Sequence, residues 1–438
     1  MKRILIVIAT ICALIGFARP ALAFCGFYVA KADSSLYNQA SQVIIARDRD
    51  RTVLTMANDY QGEVKDFALV VPVPVLLSED QVNVGEPKII ERIDAFSAPR
   101  LVEYFDSNPC AIPSPVPMLE SRVGALEDGA IMTGRAGNAA DLGVTIEDQF
   151  TVGEYDILLL SAEESDGLET WLRQNEYQIP EGASALLQPY IRQNMKFFVA
   201  RVNLEEFEES GYQKLRPLMM AFESPKFRLP IRLGTMNAQS EQDLIVYLLS
   251  PGGQVELTNY RTVKVPSNLE LPGFVEEEFT DFYKSMFATS HAKEQKKVAF
   301  LEYAWDMGWC DPCVADALSP EELRQAGVFW DTTSRGGGSN VFITRLHVRY
   351  TRDRFPEDLR FQSTSNRENF QGRYIIRHPY KGEMDCPAGI EYQRNLQQRL
   401  EREAQTLARL TDWDIQEIRS KIDLPDIEPR PWWRRLWD

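Results

Sequence analysis

The chain has 438 residues, and its 48 lysines and arginines against 64 aspartates and glutamates give a formal charge of −16. Hydrophobic residues make up 44 % and charged residues 26 % of the chain. These values are ordinary for globular proteins, and they exclude disordered, collagen-like and multi-spanning membrane proteins. A strongly acidic chain repels phosphate backbones, so we expect no nucleic-acid partner.

The first 23 residues have the pattern of a secretory signal peptide. Lys2 and Arg3 form a basic start, an apolar run covers residues 4–18, and Ala21 and Ala23 are small residues at the positions that signal peptidase reads. The apolar run is short for a membrane span, which needs about 20 residues. We therefore expect cleavage after Ala23 and export to the periplasm or the extracellular space.

Strand patterns open the expected mature chain, and helix patterns dominate its end. In chain order, strands are predicted at 42–46, 52–56, 67–75, 154–161, 195–202, 215–222, 227–233, 243–249, 298–304, 341–350 and 373–376. Helices are predicted within 88–105 and at 166–174, 183–193, 274–288, 320–326 and 391–421. The first two strands indicate a hairpin with a charged tip, and the three strands between 215 and 249 indicate a β-meander.

These elements predict an α+β protein. Its β-rich N-terminal and central segments should form mixed or antiparallel sheets with packed helices, and its C-terminal end should form a long helix or a helix pair. We divide the mature chain into a β-rich α+β region at 24–265, an α+β region at 266–428 and a tail at 429–438.

Five cysteines remain after the expected cleavage, and an exported protein permits disulfides between them. The favoured pairs are Cys310 with Cys313, as a local bridge, and Cys25 with Cys110, because both flank the first predicted sheet. Cys386 would then be the odd cysteine. The pairing of Cys386 with Cys310 or Cys313 is the main competitor, since spacing alone does not fix connectivity.

The run Trp309-Cys310-Asp311-Pro312-Cys313 is the sharpest local motif. It resembles the site of thioredoxin-like oxidoreductases, in which the first cysteine attacks and the second resolves the mixed disulfide. Asp311 places a negative charge between the thiols, and a new helix is predicted soon after Cys313. Both departures favour a structural disulfide over redox catalysis.

The three histidines, His291, His347 and His378, lie in separate segments without a paired metal-ligand spacing such as HExxH. His347 alternates with Arg345 and Arg349 on a predicted strand, which indicates a solvated face. A GxSxG motif is also absent from the sequence. We therefore expect neither a metal ion nor a cofactor, with a three-histidine site as the open alternative.

The last ten residues combine aromatic and basic side chains on a very acidic protein. Both types favour boundaries between protein and membrane or between two proteins, so the tail is a candidate for peripheral membrane contact or for an acidic partner. Alternatively, the tryptophans fold back on the core and the arginines on the chain's own acidic surface. The candidate interaction residues are Trp432, Trp433, Arg434, Arg435 and Trp437.

Five segments carry a family resemblance: FCGFYV at 24–29, MANDY at 56–60, VVPVP at 70–74, LPIRLG at 229–234 and TRLH at 344–347. In this order they resemble the exported bacterial proteins of domain-of-unknown-function family 2330. The resemblance implies a signal-bearing envelope or secreted protein and carries no catalytic residue with it. The leading hypothesis is a binding or interaction module of the cell envelope with an unidentified protein or ligand as partner. The alternative is a periplasmic thiol-disulfide oxidoreductase that uses Cys310 and Cys313.

Overall fold

The structure is a computed structural model that describes residues 27–30, 41–57, 67–111, 139–140, 144–175, 183–212, 215–235, 241–309, 316–330 and 340–422. The helices in these ranges are α1 Pro87–Ser97, α2 Ser165–Gln174, α3 Ala183–Ile191, α4 Leu204–Ser210, α5 Phe279–Lys293, α6 Pro320–Gln325, α7 Pro387–Thr411 and α8 Ile415–Lys421. Short 3-10 helices cover Glu79–Gln81, Leu233–Thr235 and Gly273–Glu276.

The strands follow the chain from the N-terminal region to the start of α7. They are β1 Phe27–Ala30, β2 Ser41–Asp48, β3 Arg51–Ala57, β4 Phe67–Val73, β5 Val82–Val84, β6 Arg100–Phe105, β7 Ala139–Ala140, β8 Val144–Val152, β9 Tyr155–Ala162, β10 Lys196–Val202, β11 Leu218–Glu223, β12 Arg228–Leu229, β13 Gln242–Ser250, β14 Val255–Leu257, β15 Arg261–Lys264, β16 Leu269–Leu271, β17 Val298–Asp306, β18 Phe342–Tyr350, β19 Leu359–Ser363, β20 Phe370–Gln371 and β21 Arg373–His378.

These strands form two large sheets and two small ones. The six-stranded sheet has the order β1-β4-β10-β9-β8-β7, and the nine-stranded sheet has the order β15-β17-β18-β13-β2-β3-β11-β5, with β20 beside β17. The small sheets are β12-β19-β14 and the parallel sheet β16-β21-β6. The α+β prediction with mixed and antiparallel sheets is confirmed. The nine-stranded sheet takes strands from both sides of residue 265.

The main core lies between the two large sheets. One face of each sheet contributes alternate apolar side chains, because successive residues of a strand point to opposite faces. Burial of each such side chain contributes about 1.5–3 kcal/mol. Members of this core include Val71, Leu159 and Phe198 from the six-stranded sheet and Leu54, Val246 and Leu346 from the nine-stranded sheet.

Helices cover the outer faces of both large sheets. Helices α2 and α3 pack on the six-stranded sheet through Leu168 and Leu187, and α1 and α6 pack on the nine-stranded sheet through Ile93 and Leu323. Helices α5, α7 and α8 pack on the parallel sheet. The predicted C-terminal helix pair is therefore confirmed as α7 and α8. Within the described residues, no helix is both long and apolar enough to cross a membrane.

Local sequence signals place several of these elements. The hairpin β2–β3 turns at Arg49, which has a positive φ of 52°. Ser319 and Glu322 form the capping box at the start of α6. Gly327 follows that helix with φ +90°, and a Cβ there would lie 2.7 Å from a methyl of Val53. Glycine is thus required at this end both by backbone conformation and by contact with the sheet.

The predicted β-meander between 215 and 249 is wrong. Strand β11 pairs with β3 and β5, β12 pairs with β19, and β13 lies between β18 and β2. Strand β13 is buried along almost its whole length, as expected for a strand in the centre of a sheet. Its two partner strands there, β18 and β2, are not the strands next to it in the sequence. A strand pattern identifies such a segment and its burial, but it does not identify the partner strand.

The disulfide pairing of Cys110 also differs from the favoured prediction. Cys110 bonds to Cys386, with the two Cα atoms 5.9 Å apart, and not to Cys25. Strands β6 and β21 run parallel side by side, so the segments that leave them emerge at one edge of the sheet. Cys110 follows β6 and Cys386 follows β21, which brings the two cysteines together. Cys25, Cys310 and Cys313 lie outside the described residues, and the local bridge stays a prediction.

We expect the Cys110→Ser and Cys386→Ser variants to be equally destabilised, by about 2–5 kcal/mol, because either change opens the same large loop. The double variant should unfold at the same urea concentration as each single variant. After reduction with dithiothreitol, the unchanged protein and the variants should all unfold at the same urea concentration. Unequal losses in the two single variants would contradict the pairing.

Candidate functional site

Most of the site residues predicted from sequence lie outside the described ranges. These are Cys25, Cys310, Cys313, Trp432, Trp433, Arg434, Arg435 and Trp437. Trp309, the first residue of the cysteine motif, is described and 68 % exposed. The indole of Trp305 donates a hydrogen bond of 3.2 Å to the backbone carbonyl of Trp309.

His347 is buried, and the prediction that it lies on a solvated face is wrong. It points from β18 to the outer face of the nine-stranded sheet and is only 8 % exposed. Helix α5 covers it, and the ring of Phe287 stacks on the imidazole with the centroids 3.8 Å apart. Alternation correctly groups His347 with Arg345 and Arg349. It does not reveal that acids on neighbouring elements and a helix complete this face.

Two carboxylates hold the imidazole of His347. Its Nδ1 lies 2.7 Å from Oε1 of Glu302 on β17, and its Nε2 lies 3.0 Å from Oδ1 of Asp243 on β13. Ionised carboxylates only accept hydrogen bonds, so both ring nitrogens donate and the ring is an imidazolium. Burial alone would lower the pKa of His347. The charge of Glu302 and the hydrogen bonds to both carboxylates outweigh that effect and raise the pKa.

Glu302 is the centre of the arrangement, with only 1 % of its surface exposed. It accepts hydrogen bonds from His347, from Arg345 Nε at 2.6 Å and from the hydroxyl of Tyr283 on α5. Burial would raise the pKa of this carboxyl, but the charges of His347 and Arg345 and the hydrogen bonds outweigh it. The pKa of Glu302 is thereby lowered to about 2.

Two further acids complete the charge balance. Asp243 accepts two hydrogen bonds from Arg349, from Nε at 2.8 Å and from Nη2 at 2.7 Å. Asp94 on α1 accepts one from Arg345 Nη1 at 2.7 Å and one from the Tyr247 hydroxyl at 2.6 Å. Three carboxylates thus face two guanidiniums and one imidazolium, and the formal charges cancel.

We refer to Asp94, Asp243, Glu302, Arg345, His347 and Arg349 as the buried network. It joins α1 to the sheet through Asp94 and α5 to the sheet through the bond from Tyr283 to Glu302. Because each ring nitrogen of His347 is already held by a carboxylate, the imidazole is not available as a general base. The network therefore fixes the positions of α1 and α5.

Helix α5 carries one wall of an exposed site at its N-terminal end. A cavity of about 340 Å³ lies between this end and α8, and we call it the acidic–aromatic pocket. Asp414 also caps α8 by accepting hydrogen bonds from two backbone N–H groups, and acids are favourable at such positions. The indole of Trp413 is held by a 3.0 Å bond to Ser285 of α5. The pocket is lined by Phe274, Glu278, Asp281, Trp413, Asp414, Glu417, Ile418 and Lys421.

One cation of the chain already lies in the acidic–aromatic pocket. Lys421 Nζ lies 2.8 Å and 3.0 Å from the two carboxylate oxygens of Glu278 and 3.8 Å from Glu417. It also lies 5.3 Å from the centroid of the Phe274 ring. The hydrogen bond to Glu278 raises the pKa of the ammonium. With four carboxylates against one ammonium, the pocket keeps an excess of negative charge.

Sequence reasoning missed this pocket. The periodicity predicts both helices, but it does not show that α8 folds back on α5. The available signal is the presence of acids at two helix starts that follow an aromatic residue: Glu278 lies four residues after Phe274, and Asp414 directly follows Trp413.

Comparison with known proteins gives a family. A family model described as an uncharacterised protein conserved in bacteria, DUF2330, matches residues 19–362. The chain belongs to this family. No curated protein matches the chain. No solved structure matches it either.

The DUF2330 match confirms the resemblance carried by the five segments, and it covers the whole buried network and part of the acidic–aromatic pocket. The residues of the buried network, from Asp94 to Arg349, lie inside the matched range. Helices α7 and α8 lie beyond it, so the acidic–aromatic pocket combines a wall from the matched range with a wall from the C-terminal helices.

The charged form of His347 makes stability depend on pH. Its folded pKa is raised above the unfolded value of about 6.5, so its stabilising contribution is complete below that pH and is lost as the pH rises through the folded pKa. We expect the free energy of unfolding to fall above about pH 7. Urea unfolding at several pH values between pH 6 and pH 9 measures this change in the free energy of unfolding.

The His347→Gln variant should be about 3–5 kcal/mol less stable at pH 6, because it removes a cation that two carboxylates, Glu302 and Asp243, both contact. The free energy of unfolding of this variant should also lack the decline above about pH 7. Burial raises the pKa of Glu403 to about 7, so the ionisation of this group lowers the free energy of unfolding only as the pH rises to about 7. The control is the His378→Gln variant at the surface, whose free energy of unfolding should depend on pH in the same way as that of the unchanged protein. An equal slope in the unchanged protein and in His347→Gln would refute the assignment.

Proposed function

We propose that this DUF2330 protein is an exported binding module of the bacterial envelope. Its ligand carries an ammonium or guanidinium group, which enters the acidic–aromatic pocket. The observation that supports this most directly is the position of Lys421, whose ammonium group contacts Glu278 and lies near the Phe274 ring. The pocket therefore has the chemistry to bind one ammonium or guanidinium group at the end of an apolar methylene chain.

Two kinds of interaction would hold such a ligand. Hydrogen bonds from a cation to a carboxylate are about twice as strong as those between neutral groups. A cation near an aromatic face gains about 0.5–1 kcal/mol at an exposed site. Phe274 and Trp413 also offer apolar surface to the methylene stem of a lysine or arginine side chain. A basic peptide segment of an envelope protein has these properties.

The acidic character of the whole chain supports the same ligand class. A formal charge of −16 attracts cations over a distance of about one Debye length and raises their rate of association. The bond between Cys110 and Cys386 supports export, since disulfides persist in oxidising compartments outside the cytosol. The signal-peptide pattern of the first 23 residues agrees with this location.

We expect a fluorescently labelled tetralysine peptide to bind the mature protein at low ionic strength. The Asp281→Asn/Glu417→Gln variant should bind it about 2- to 30-fold more weakly, since each exposed pair contributes about 0.2–1 kcal/mol. The Lys421→Gln variant should bind it more tightly, because the competing internal cation is gone. Fluorescence anisotropy at two salt concentrations measures all three affinities.

The matched control is Glu205→Gln/Glu206→Gln, which removes two exposed acids from the start of α4. It changes the net charge equally and should leave the affinity close to that of the unchanged protein. If the control and the pocket variant lose affinity to the same extent, the peptide binds through general charge and the pocket is not its site.

A further inference from the structure

Glu103, Glu276 and His378 bring three metal-ligating side chains together at the surface. One donor atom of each, a carboxylate oxygen or an imidazole nitrogen, lies within 4.8 Å of the other two. In the described ranges of the chain, this is the one group of three histidine, cysteine or acidic side chains that meets this spacing. It shares no residue with the buried network or with the acidic–aromatic pocket.

The topology of the parallel sheet explains the convergence. Strand β21 lies between β6 and β16, and all three run in the same direction. Glu103 lies near the carboxyl end of β6, and His378 is the last residue of β21. Glu276 ends the 3-10 helix that follows β16. The three donors therefore collect at the carboxyl edge of three adjacent parallel strands, an edge at which ligands commonly bind in open sheets.

The imidazole of His378 is held in place and accessible at the same time. Its Nε2 lies 2.8 Å from Oε2 of Glu103, and the ring of Phe105 stacks on it with centroids 4.5 Å apart. The side chain of His378 is 28 % exposed and that of Glu103 is 44 % exposed. An ion from solvent can therefore reach a donor whose ring orientation is already set.

We propose that Glu103, Glu276 and His378 bind a divalent transition-metal ion of the zinc class. Bonds from Zn²⁺ to imidazole nitrogen and carboxylate oxygen are about 2.0–2.2 Å long, so two donors of one ion lie roughly 3–4 Å apart. The three donor atoms, which lie within 4.8 Å of one another, are close to that spacing. Two carboxylates and one neutral imidazole balance a charge of +2, and water completes the coordination. The imidazole favours this class over Mg²⁺ and Ca²⁺, which prefer oxygen donors alone.

The test must exclude the cysteine motif, because thiolates also bind zinc. The protein is therefore the full mature chain without a polyhistidine tag and with Cys310→Ser and Cys313→Ser. Titration with Zn²⁺ in a calorimeter should give one equivalent per chain. Glu276→Gln and His378→Gln should each weaken binding by at least about 10-fold, since even changes that only support a ligand cost about 10- to 100-fold.

Glu277→Gln is the matched control, because Glu277 is the adjacent exposed acid and is not one of the three donors. It should leave the affinity for Zn²⁺ unchanged, and Ca²⁺ in equal concentration should not compete. If His378→Gln fails to fold, the exposed Glu276→Gln variant decides the question. Binding of less than one equivalent, or equal affinity in Glu276→Gln and Glu277→Gln, would overturn the proposal.

Discussion

The carboxylate of Glu302 is the group on which the arrangement of the outer helices depends. A charge that is 1 % exposed is very unfavourable unless cations and hydrogen-bond donors surround it. Arg345 and His347 supply the cations from β18, and Tyr283 supplies a hydroxyl from α5. Helix α5 therefore has one favourable position on the sheet. Its N-terminal end, and the 3-10 helix directly before it, then place Glu276, Glu278 and Asp281, which are three of the acids of the two exposed sites.

The buried network also determines strand register. Arg345, His347 and Arg349 alternate along β18 with Leu346 and Val348, which are fully buried between the two large sheets. A slip of one residue would exchange the two sets and place three cations in the apolar core. Buried ion pairs often contribute little net stability compared with apolar side chains of similar size. Their contribution here is that a slip of one residue would move all three cations away from the three acids that they contact.

Local signals in the sequence predicted most elements, and long-range pairing accounts for what they missed. The capping box at Ser319 and the turn at Gly327 are complete within ten residues, so they are readable before the fold is known. The bond of Cys110 to Cys386 depends on the parallel pairing of two strands that are 273 residues apart in the sequence. Burial of His347 depends in the same way on Glu302 and on α5. Likewise, the acidic–aromatic pocket exists only because α8 packs against α5, and neither helix pattern contains that contact.

The two exposed sites are close in the chain but separate in chemistry. Glu276 belongs to the donor group with His378, whereas Glu278 pairs with Lys421 in the acidic–aromatic pocket. A cation bound at one site would reduce the negative potential at the other. Salt limits this coupling between exposed charges, because the Debye length is only about 8 Å at physiological ionic strength. Because Glu276 and Glu278 are only two residues apart, a metal ion and a basic ligand would weaken each other's binding, and added salt would reduce this competition.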